Sequence, residues 1–349
     1  MQRKQHMEIY NSFDEKKGNF IHTLVSDINT LKQELAKFNS ITKVSSFGTP
    51  VTIRFFFRGV PNSAYKIYSS IQRCCSERNN QGQNILMPEL SKEILRRFNN
   101  SVILMEAFNK EVPQPSNNSD LAKWAFIQHF GGPSHFVDFT PDINRALFFA
   151  LPKLGEETYS ADTTDLNNYI SVYVYQDNPY KNGNLNKMYE SSSQRGRDLF
   201  IDATKKYPNI LIDTTEVDRQ MLTQPLDSIF WGTSIYGEDM FKVILPGDGN
   251  NNDMSLNNSH ISKQKGNFFL GNIEDIIPLE LAPNLRTKRW DNMGKEYYCP
   301  YGYCLDIHKS LIPEIRNNFS IPLENDIYTP YDYIPEAKSE LKSLWSQEN

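Results

Sequence analysis

The sequence predicts an α+β fold, because stretches with the period of a helix and short runs with the composition of a strand occupy largely separate parts of the chain. Apolar residues recur every three or four positions across residues 14–38 and again across 88–108, and this spacing places them on one face of a helix. Runs rich in β-branched and aromatic residues predict strands. Such runs are found at residues 51–57, 134–139, 169–175, 241–245, 268–270 and 276–281.

The first 45 residues are predicted to form an amphipathic helical segment that precedes a domain over residues 46–349. The longest helical signal runs from Asp14 to Phe38. Its apolar seam is narrow and spans fewer than three full heptads, so we expect it to pack on the following domain rather than to form a coiled coil. If it does not pack there, it is the natural docking place for a partner or a second copy. The seam consists of Ile21, Leu24, Ile28, Leu31, Leu35 and Phe38.

An arginine follows directly on the first predicted strand of that domain. The strand 51–57 ends in three phenylalanines, and Arg58 and Gly59 come next. This order places a permanently charged guanidinium at the end of an apolar strand. There it is suited to bidentate binding of a phosphate or a carboxylate. Alternatively, Arg58 forms a buried salt bridge with Asp138. The two interpretations are compatible, because a carboxylate partner can orient an arginine for a ligand.

Residues 64–130 are predicted to be a helical insert that either caps a site or covers one face of a sheet. Its last helix ends just past His129 at a Gly-Gly pair, since glycine takes backbone conformations that other residues avoid. A short buried strand follows over residues 134–139. Thr140 and Pro141 then predict a helix start, because a threonine hydroxyl can cap a helix and proline loses no hydrogen bond at the first helical position.

Asp138 lies in this otherwise apolar strand, next to the predicted helix start. An ionised carboxylate there is costly unless hydrogen bonds or a cation compensate for its burial. The amides of a helix start can bind an anion such as a phosphate, so Asp138 and Thr140 together indicate a binding corner. The alternatives are that Asp138 is a structural carboxylate that holds a loop or caps a helix, and that His129 is a hydrogen-bonded turn histidine rather than a catalyst.

This central stretch resembles the signature of the FRG domain family, which reads roughly Gln-His-x-Gly-x-Pro-Thr-x-Leu-Leu-Asp-Trp-Thr and continues into a helix that ends Ala-Leu-x-Phe-Ala. The name-giving tripeptide is present at residues 57–59, and residues 264–268 resemble the family's Gln-x-Gly-x-Phe. The tail over 307–341 is also similar to the end of the family. Ser134 replaces a threonine and Phe139 a tryptophan, which changes side-chain size more than chemistry. The signature stands here as Gln128, His129, Gly131, Pro133, Ser134, Asp138, Phe139, Thr140, Ala146, Leu147, Phe149 and Ala150.

A second resemblance, of layout only, is to the ADP-ribosyltransferases, which have a split β-sheet core and use NAD as a substrate. It implies that Arg58 binds the pyrophosphate or a ribose hydroxyl and that Thr140 with the helix amides steadies the nicotinamide ribose. His129 or Asp138 is then the general base, and Gln264 orients the acceptor or the ribose 2′-hydroxyl. The implied set comprises the NAD-binding residues Arg58, Gly59, Ser134 and Thr140 and the catalytic residues Gln264, His129 and Asp138.

The resemblance implies a cytoplasmic ADP-ribosyltransferase, a toxin or an antiviral defence effector, that modifies RNA or protein without a metal and is neutralised by an antitoxin or chaperone partner. Gln264 stands where that layout expects a glutamate, so Glu274 and Glu280 are reserve candidates, and absence of catalysis stays open. One alternative is a non-catalytic module that binds a nucleotide or a sugar phosphate. Another is a metal-dependent nuclease or hydrolase built on Asp138 and His129.

Composition limits these alternatives. The net charge of −5 argues against a generally basic surface for nucleic acid. The chain has no apolar run of about twenty residues, so no membrane span is expected, and its start lacks the apolar core of a signal peptide, which indicates the cytoplasm. Cys299 and Cys304 have the spacing of a weak zinc half-site, but structural zinc needs four close ligands, so we expect Cys74, Cys75, Cys299 and Cys304 to be free buried thiols.

Overall fold

The computed structural model describes residues 6–39, 41–44, 50–111, 120–153, 155, 158–177, 242–244, 267–270, 275–281, 286–290, 296–300, 302–327 and 334–345. Helices and a mixed sheet are both present, so the predicted α+β class is confirmed. The helices are α1 (Phe13–Lys17), α2 (Ile28–Ala36), α3 (Ser70–Asn80), α4 (Met87–Asn100), α5 (Val102–Glu111), α6 (Asp120–His129), α7 (Ile143–Ala150), α8 (Ile312–Asn318), α9 (Glu324–Ile327) and α10 (Ile334–Trp345). The strands are β1 (Ile21–Val25), β2 (Ile41–Val44), β3 (Pro50–Val60), β4 (Phe136–Phe139), β5 (Tyr169–Asp177), β6 (Lys242–Ile244), β7 (Asn267–Leu270), β8 (Arg286–Trp290), β9 (Glu296–Pro300) and β10 (Gly302–His308).

A five-stranded sheet in the order β1-β10-β5-β3-β2 forms the centre of the fold. β3 and β5 are antiparallel, with Arg58 opposite Tyr173. β10 is antiparallel to β5, and β1 is parallel to β10. Successive side chains of a strand point to opposite faces, so Phe56 and Phe57 pack into separate apolar clusters. The sheet is therefore covered on both faces, as the apolar run of the first predicted strand indicates.

A second sheet of three strands, in the order β4-β7-β6, meets the central sheet at one isolated bridge. The amide of Phe57 donates to the carbonyl of Thr140 at 2.7 Å, and the amide of Thr140 donates to the carbonyl of Phe57 at 2.9 Å. Arg58 follows one side of this bridge, and Asp138 precedes the other. The junction of the two sheets thus brings together the two residues that the sequence singles out. β8 and β9 form a separate two-stranded sheet.

Gly59 is explained by the close packing of α7 on β3. A Cβ atom at Gly59 would lie 1.8 Å from the carbonyl oxygen of Ala146 and 2.8 Å from the amide nitrogen of Ala150. Such separations are far below van der Waals contact, and a packed interior adjusts little. Any side chain at this position must therefore displace α7. Ala146, Leu147 and Ala150 are fully buried and belong to the apolar cluster that includes Phe57 of β3.

The prediction of one long helix from residue 14 to residue 38 was wrong, and with it the helical character of the segment 1–45. α1 ends at Lys17, and α2 begins only after the N-cap Asp27, whose carboxylate accepts from the amides of Asn29 and Thr30. Between them the β-branched run of β1 pairs with β10, because strand pairing with distant residues overrides a local helical period. The seam residues Ile21 and Leu24 are consequently exposed.

Within residues 64–130 the described part of the chain forms the helices α3 to α6. The rings of Phe98, Phe108 and Phe126 meet edge to face, with centroids 5.5 to 5.7 Å apart, which is a favourable arrangement for aromatic pairs. This cluster continues to Phe136 of β4. α6 ends at His129 and is followed by Gly131 with φ +85°, as the Gly-Gly pair predicted.

The predicted strand over residues 276–281 was wrong, because residues 279–281 form a 3-10 turn. Pro278 has no amide hydrogen for a ladder, and its carbonyl accepts from the amide of Leu281 at 3.0 Å. The other predicted strands are present with shifted ends as β3, β4, β5, β6 and β7. Within the described residues, the structure has no helix with the length and apolarity needed to cross a bilayer.

Candidate functional site

A cavity of about 620 Å³ opens where the two sheets meet the helical insert. Its volume lies within the range of about 300–1,000 Å³ that is usual for small-molecule sites. Its walls are formed by residues 7–9, 57–61, 65–68 and 138–140, together with Arg73, Gln128, His129, Ala146 and Phe149. The end of β3, the end of β4, the insert and the N-terminal segment therefore all border the same space.

Arg58 is held at this cavity by one hydrogen bond to the backbone. Its Nη1 donates to the carbonyl oxygen of Asp138 at 2.7 Å. Its Nε is buried and has no hydrogen-bond partner among the residues that the structure describes. Burial lowers the pKa of the guanidinium, Asp138 acts in the opposite direction, and Arg73 lowers the pKa further. Arg58 is thus oriented by the protein but not saturated by it.

The Asp138 carboxylate is not paired with Arg58 in a salt bridge. Gln128 donates from Nε2 to Oδ2 of Asp138 at 2.5 Å. Burial raises the pKa of Asp138, while Arg58, the Gln128 hydrogen bond and Arg73 act to lower it. The predicted contact between Arg58 and Asp138 exists, but the guanidinium contacts the backbone carbonyl of Asp138. The guanidinium and the carboxylate therefore interact electrostatically without a direct hydrogen bond.

Arg73 is a second arginine at the cavity, and no sequence pattern marks it as a site residue. It lies on α3 and lines the cavity, and its Nη1 donates to the carbonyl of Tyr68 at 2.7 Å. Its charge acts on both Arg58 and Asp138. Two guanidiniums in one cavity provide a positive environment that suits an anion better than one arginine does.

The predicted helix start at Thr140 and Pro141 was wrong, because α7 begins at Ile143. Asp142 is the N-cap, and its carboxylate accepts from the amide of Asn144 at 3.0 Å. The Thr140 hydroxyl accepts instead from the amide of Asp142 at 3.2 Å. An acidic N-cap already satisfies this helix start and repels a negative ligand. Thr140 lines the cavity, but the helix amides are not an anion site.

The remaining predicted site residues are distributed unevenly. Gly59 and His129 line the same cavity as Arg58. Ser134 is fully buried and is not among the lining residues, because its amide donates to Ser70 Oγ at 2.8 Å and its own Oγ accepts from the amide of Phe136 at 3.1 Å. Gln264 and the reserve candidate Glu274 lie outside the described residues.

Glu280, the other reserve candidate, is committed to the structure. It is buried, its Oε1 accepts from the Tyr10 hydroxyl at 2.5 Å, and its Oε2 accepts from the amide of Ile67 at 3.2 Å. It does not line the cavity. Its predicted reserve role as the third-motif glutamate is therefore wrong, since its carboxylate already orders the N-terminal segment.

Residues 7–9 form an N-terminal wall of the cavity that was not predicted from the sequence. Met7, Glu8 and Ile9 line the cavity, and Ile9 forms an antiparallel bridge with Tyr65. No local motif marks these residues. The feature that distinguishes them is the exposure of the apolar pair Ile9 and Tyr65, which is seen in the structure and not in the sequence.

Among the described residues, one group of side chains has the spacing of a metal site, and it lies away from the cavity lining. His22, Cys304 and Asp306 have ligand atoms within 4.8 Å of one another. The ammonium of Lys16 already contacts Asp306 Oδ1 at 2.7 Å, so a cation is present there. Cys75 and Cys304 are free and buried, as predicted, and Cys74 is free but half-buried. The side chain of Cys299 lies outside the described residues.

Comparison with protein families gives one match, since residues 53–158 match the model of the FRG domain. The match includes the tripeptide at 57–59 and the whole signature from Gln128 to Ala150. Residues 264–268 and the tail lie beyond it. No curated protein and no solved structure matches the chain.

Proposed function

We propose that the cavity where the two sheets meet the helical insert binds NAD and that the chain, whose residues 53–158 match the FRG domain model, is an ADP-ribosyltransferase. The observation that carries this proposal is the buried Nε of Arg58, which lacks a partner among the described residues in a cavity that also contains Arg73. A buried donor without a partner is costly, and an anionic ligand removes that cost.

The two arginines suit the diphosphate of a dinucleotide. Guanidiniums bind phosphate oxygens through charge-assisted and often bidentate hydrogen bonds, and a partly buried site weakens competition from water. Arg58 is held through Nη1, so its remaining N–H groups serve the ligand without reorientation. Arg73, tied to the Tyr68 carbonyl, adds a second positive charge.

The arrangement of the strands favours an ADP-ribosyltransferase over other proteins that bind a phosphate group. Two sheets that meet at the Phe57–Thr140 bridge are compatible with the split β-sheet core expected of ADP-ribosyltransferases. Arg58 follows a strand of one sheet, and Asp138 with Thr140 ends a strand of the other. Both corners border one cavity, as the proposal requires.

In the proposed reaction the bond between the nicotinamide nitrogen and ribose C1′ breaks, and nicotinamide leaves with the bonding electrons. An acceptor nucleophile forms the new bond to C1′ and gives its proton to a general base. Asp138 and His129 are the candidate bases that line the cavity, and the raised pKa of Asp138 brings that carboxyl nearer to a useful range. In this proposal the Asp138 carboxylate also stabilises the positive charge that develops on the sugar. Gln264 is proposed to orient the acceptor.

The acceptor is proposed to be RNA or protein, and the biological role that of a cytoplasmic toxin or defence effector held in check by a neutralising partner. The acidic net charge of −5 favours a local contact with nucleic acid over a broad one. The resemblance to the two families, rather than a measured contact, motivates this assignment.

The test is transfer of radiolabel from NAD that carries the label in its adenylate phosphate, with release of nicotinamide followed in the same reaction. Arg58→Lys keeps the charge but loses the planar fork, so we expect transfer and nicotinamide release to fall by about tenfold or more. Arg145→Lys is the matched control, because Arg145 pairs with Asp142 and does not line the cavity. Gln264→Ala should reduce transfer. Equal activity of Arg58→Lys and wild type would contradict the proposal.

A non-catalytic nucleotide-binding module is the second candidate, and one observation favours it. Glu280 is locked to Tyr10, so the described part of the chain offers no third-strand glutamate at the cavity. This candidate predicts that NAD binds with Arg58 dependence and that nicotinamide is not released. The metal-dependent hydrolase built on Asp138 and His129 gains no support from the described residues, whose metal-like group is the separate His22 cluster. Loss of activity on addition of a chelator would revive it.

A further inference from the structure

Large apolar side chains are exposed at the cavity. Ile9 is 56% exposed, Tyr65 49% and Phe149 36%, and all three line the cavity. Exposed apolar residues are common singly, but a group that borders one cavity indicates a contact surface. Ile9 and Tyr65 are directly opposed in a β-bridge, so the two form one continuous apolar surface.

The N-terminal wall that carries Ile9 is firmly attached. The amide of Met7 donates to Ser76 Oγ at 2.9 Å, and the amide of Glu8 donates to the Tyr68 hydroxyl at 3.0 Å. Tyr10 follows with its amide bonded to the Ala64 carbonyl at 2.8 Å. This wall is therefore a built part of the cavity, although it lies outside the residues that match the family model.

One residue links the apolar surface to the arginines. The Tyr68 hydroxyl accepts from the amide of Glu8, and the Tyr68 carbonyl accepts from Nη1 of Arg73 at 2.7 Å. Tyr68 thus contacts the N-terminal wall through its hydroxyl and Arg73 through its carbonyl. The cavity has a charged region for phosphates and an adjoining apolar region with aromatic faces.

We propose that the Ile9–Tyr65 surface, with Phe149, is a subsite for the aromatic base of a nucleotide whose phosphates bind Arg58 and Arg73. The inference rests on the proposed function, since it assigns the other end of the same ligand. A planar base covers exposed apolar surface, and a tyrosine ring provides a π-face for stacking that any base can use. This subsite then selects nucleotides over simple phosphates, and Ile9 of the N-terminal wall contributes to it together with Tyr65 and Phe149.

The test compares two titrants, ADP and inorganic pyrophosphate, by calorimetry on the full chain. Both offer a diphosphate, but only ADP has a base. We expect wild type to bind ADP about tenfold more tightly than pyrophosphate. Tyr65→Ala should lower the affinity for ADP by about tenfold and leave the affinity for pyrophosphate unchanged. Tyr65→Phe keeps the ring and should retain the affinity of wild type. Tyr159→Ala, at a tyrosine that is 51% exposed and does not line the cavity, should change neither titrant.

Two outcomes would overturn the subsite. One is equal affinity of wild type for ADP and pyrophosphate, which would leave the apolar surface to another occupant such as a protein segment. The other is an equal loss of both titrants in Tyr65→Ala, which would indicate a structural role for the ring. The proposed function fails separately. If ADP shows the expected Tyr65 dependence but NAD is not consumed, the base subsite stands and the transferase does not.

Discussion

Two buried arrangements of charge, one inside the central sheet and one at the cavity, differ in how completely their groups are satisfied. Lys16 is fully buried, and its Nζ donates to Ser63 O at 2.8 Å, Ser63 Oγ at 2.9 Å, Ser171 Oγ at 3.0 Å and Asp306 Oδ1 at 2.7 Å. The other carboxylate oxygen of Asp306 contacts His22 Nε2 at 2.7 Å. This network attaches α1 to the central sheet and joins β1 to β10 through side chains.

The arrangement at the cavity is built from the same kinds of group but is incomplete. Arg58 is bonded to a backbone carbonyl, its Nε lacks a partner among the described residues, and Asp138 is held by a neutral glutamine. A saturated buried ion pair stabilises the fold and leaves nothing for a ligand. A buried charge with unused hydrogen-bonding capacity beside a cavity is a candidate binding site.

The largest expected effect comes from breaking the saturated network. Lys16→Met removes the ammonium and leaves the Asp306 carboxylate buried without its cation, so we expect a loss of about 3–5 kcal/mol in the free energy of unfolding. Urea denaturation measures it. Lys17→Met is the control, because Lys17 pairs with Asp14 at the surface and its loss should change stability by less than about 1 kcal/mol. If Lys16→Met unfolded at the same midpoint urea concentration as wild type, the network around Lys16 would not be the more stabilising of the two arrangements.

Gly59→Ala should affect both stability and ligand binding. The added methyl group would lie 1.8 Å from the Ala146 carbonyl, so α7 must shift, and overpacking of this kind costs about 1–3 kcal/mol. α7 also carries Phe149 of the cavity, so ADP affinity should fall with stability. At Gly18 the nearest atom to an added Cβ is the Glu15 carbonyl oxygen at 3.3 Å, and Gly18→Ala should be milder in both measurements. An unchanged melting temperature for Gly59→Ala would contradict the close packing.

Arg58→Gln should have the opposite profile to Lys16→Met. It removes the charge that the ligand uses, so we expect ADP affinity to fall by about ten- to a hundredfold. Its effect on unfolding should be smaller than that of Lys16→Met, because the guanidinium makes a single hydrogen bond to the protein's described residues. Calorimetry and urea denaturation on the same preparation separate the two effects. A stability loss as large as that of Lys16→Met with normal ADP binding would assign Arg58 to the structure instead.

Local signals explain what the sequence predicted at this site. Arg58 ends an apolar run, and Asp138 lies in a short strand between a Gly-Gly pair and a helix. Each of these features depends on neighbouring residues, so both corners were identified, and the structure brings both to one cavity. The error at the start of α7 was also local, because Asp142 competes with Thr140 for the N-cap and a carboxylate is at least as good a cap.

Contacts between distant parts of the chain explain what the sequence did not predict. β1 is a strand because it pairs with β10, which lies near the other end of the chain. Arg73 faces the cavity only because α3 packs beside the junction of the sheets, and Ile9 reaches it only through its bridge to Tyr65. Periodicity and turn chemistry carry no information about such pairings.

The smallest expected effect, and the most direct test of the comparison, is the pH dependence of stability. Burial raises the pKa of Asp138 above its ordinary value of 3.8. Burial also acts to raise the pKa of Asp306, but Lys16, His22 and Ser171 outweigh it and lower that pKa below 3.8. Because the pKa of Asp138 is raised in the folded protein, Asp138 contributes stability below pH 3.8, and this contribution is lost as the pH rises through the folded pKa. Because the pKa of Asp306 is lowered, Asp306 contributes stability above pH 3.8, and this contribution is lost as the pH falls through the folded pKa.

The two carboxylates should therefore change stability in opposite directions over the same range. Between about pH 3 and pH 6, the unfolding free energy of wild type minus that of Asp138→Asn should fall as pH rises, and the corresponding difference for Asp306→Asn should rise. Urea denaturation of the three proteins across this range measures both slopes. If both differences rise with pH, Asp138 is as well satisfied as Asp306, and the contrast between a complete structural network and an incomplete binding site is lost.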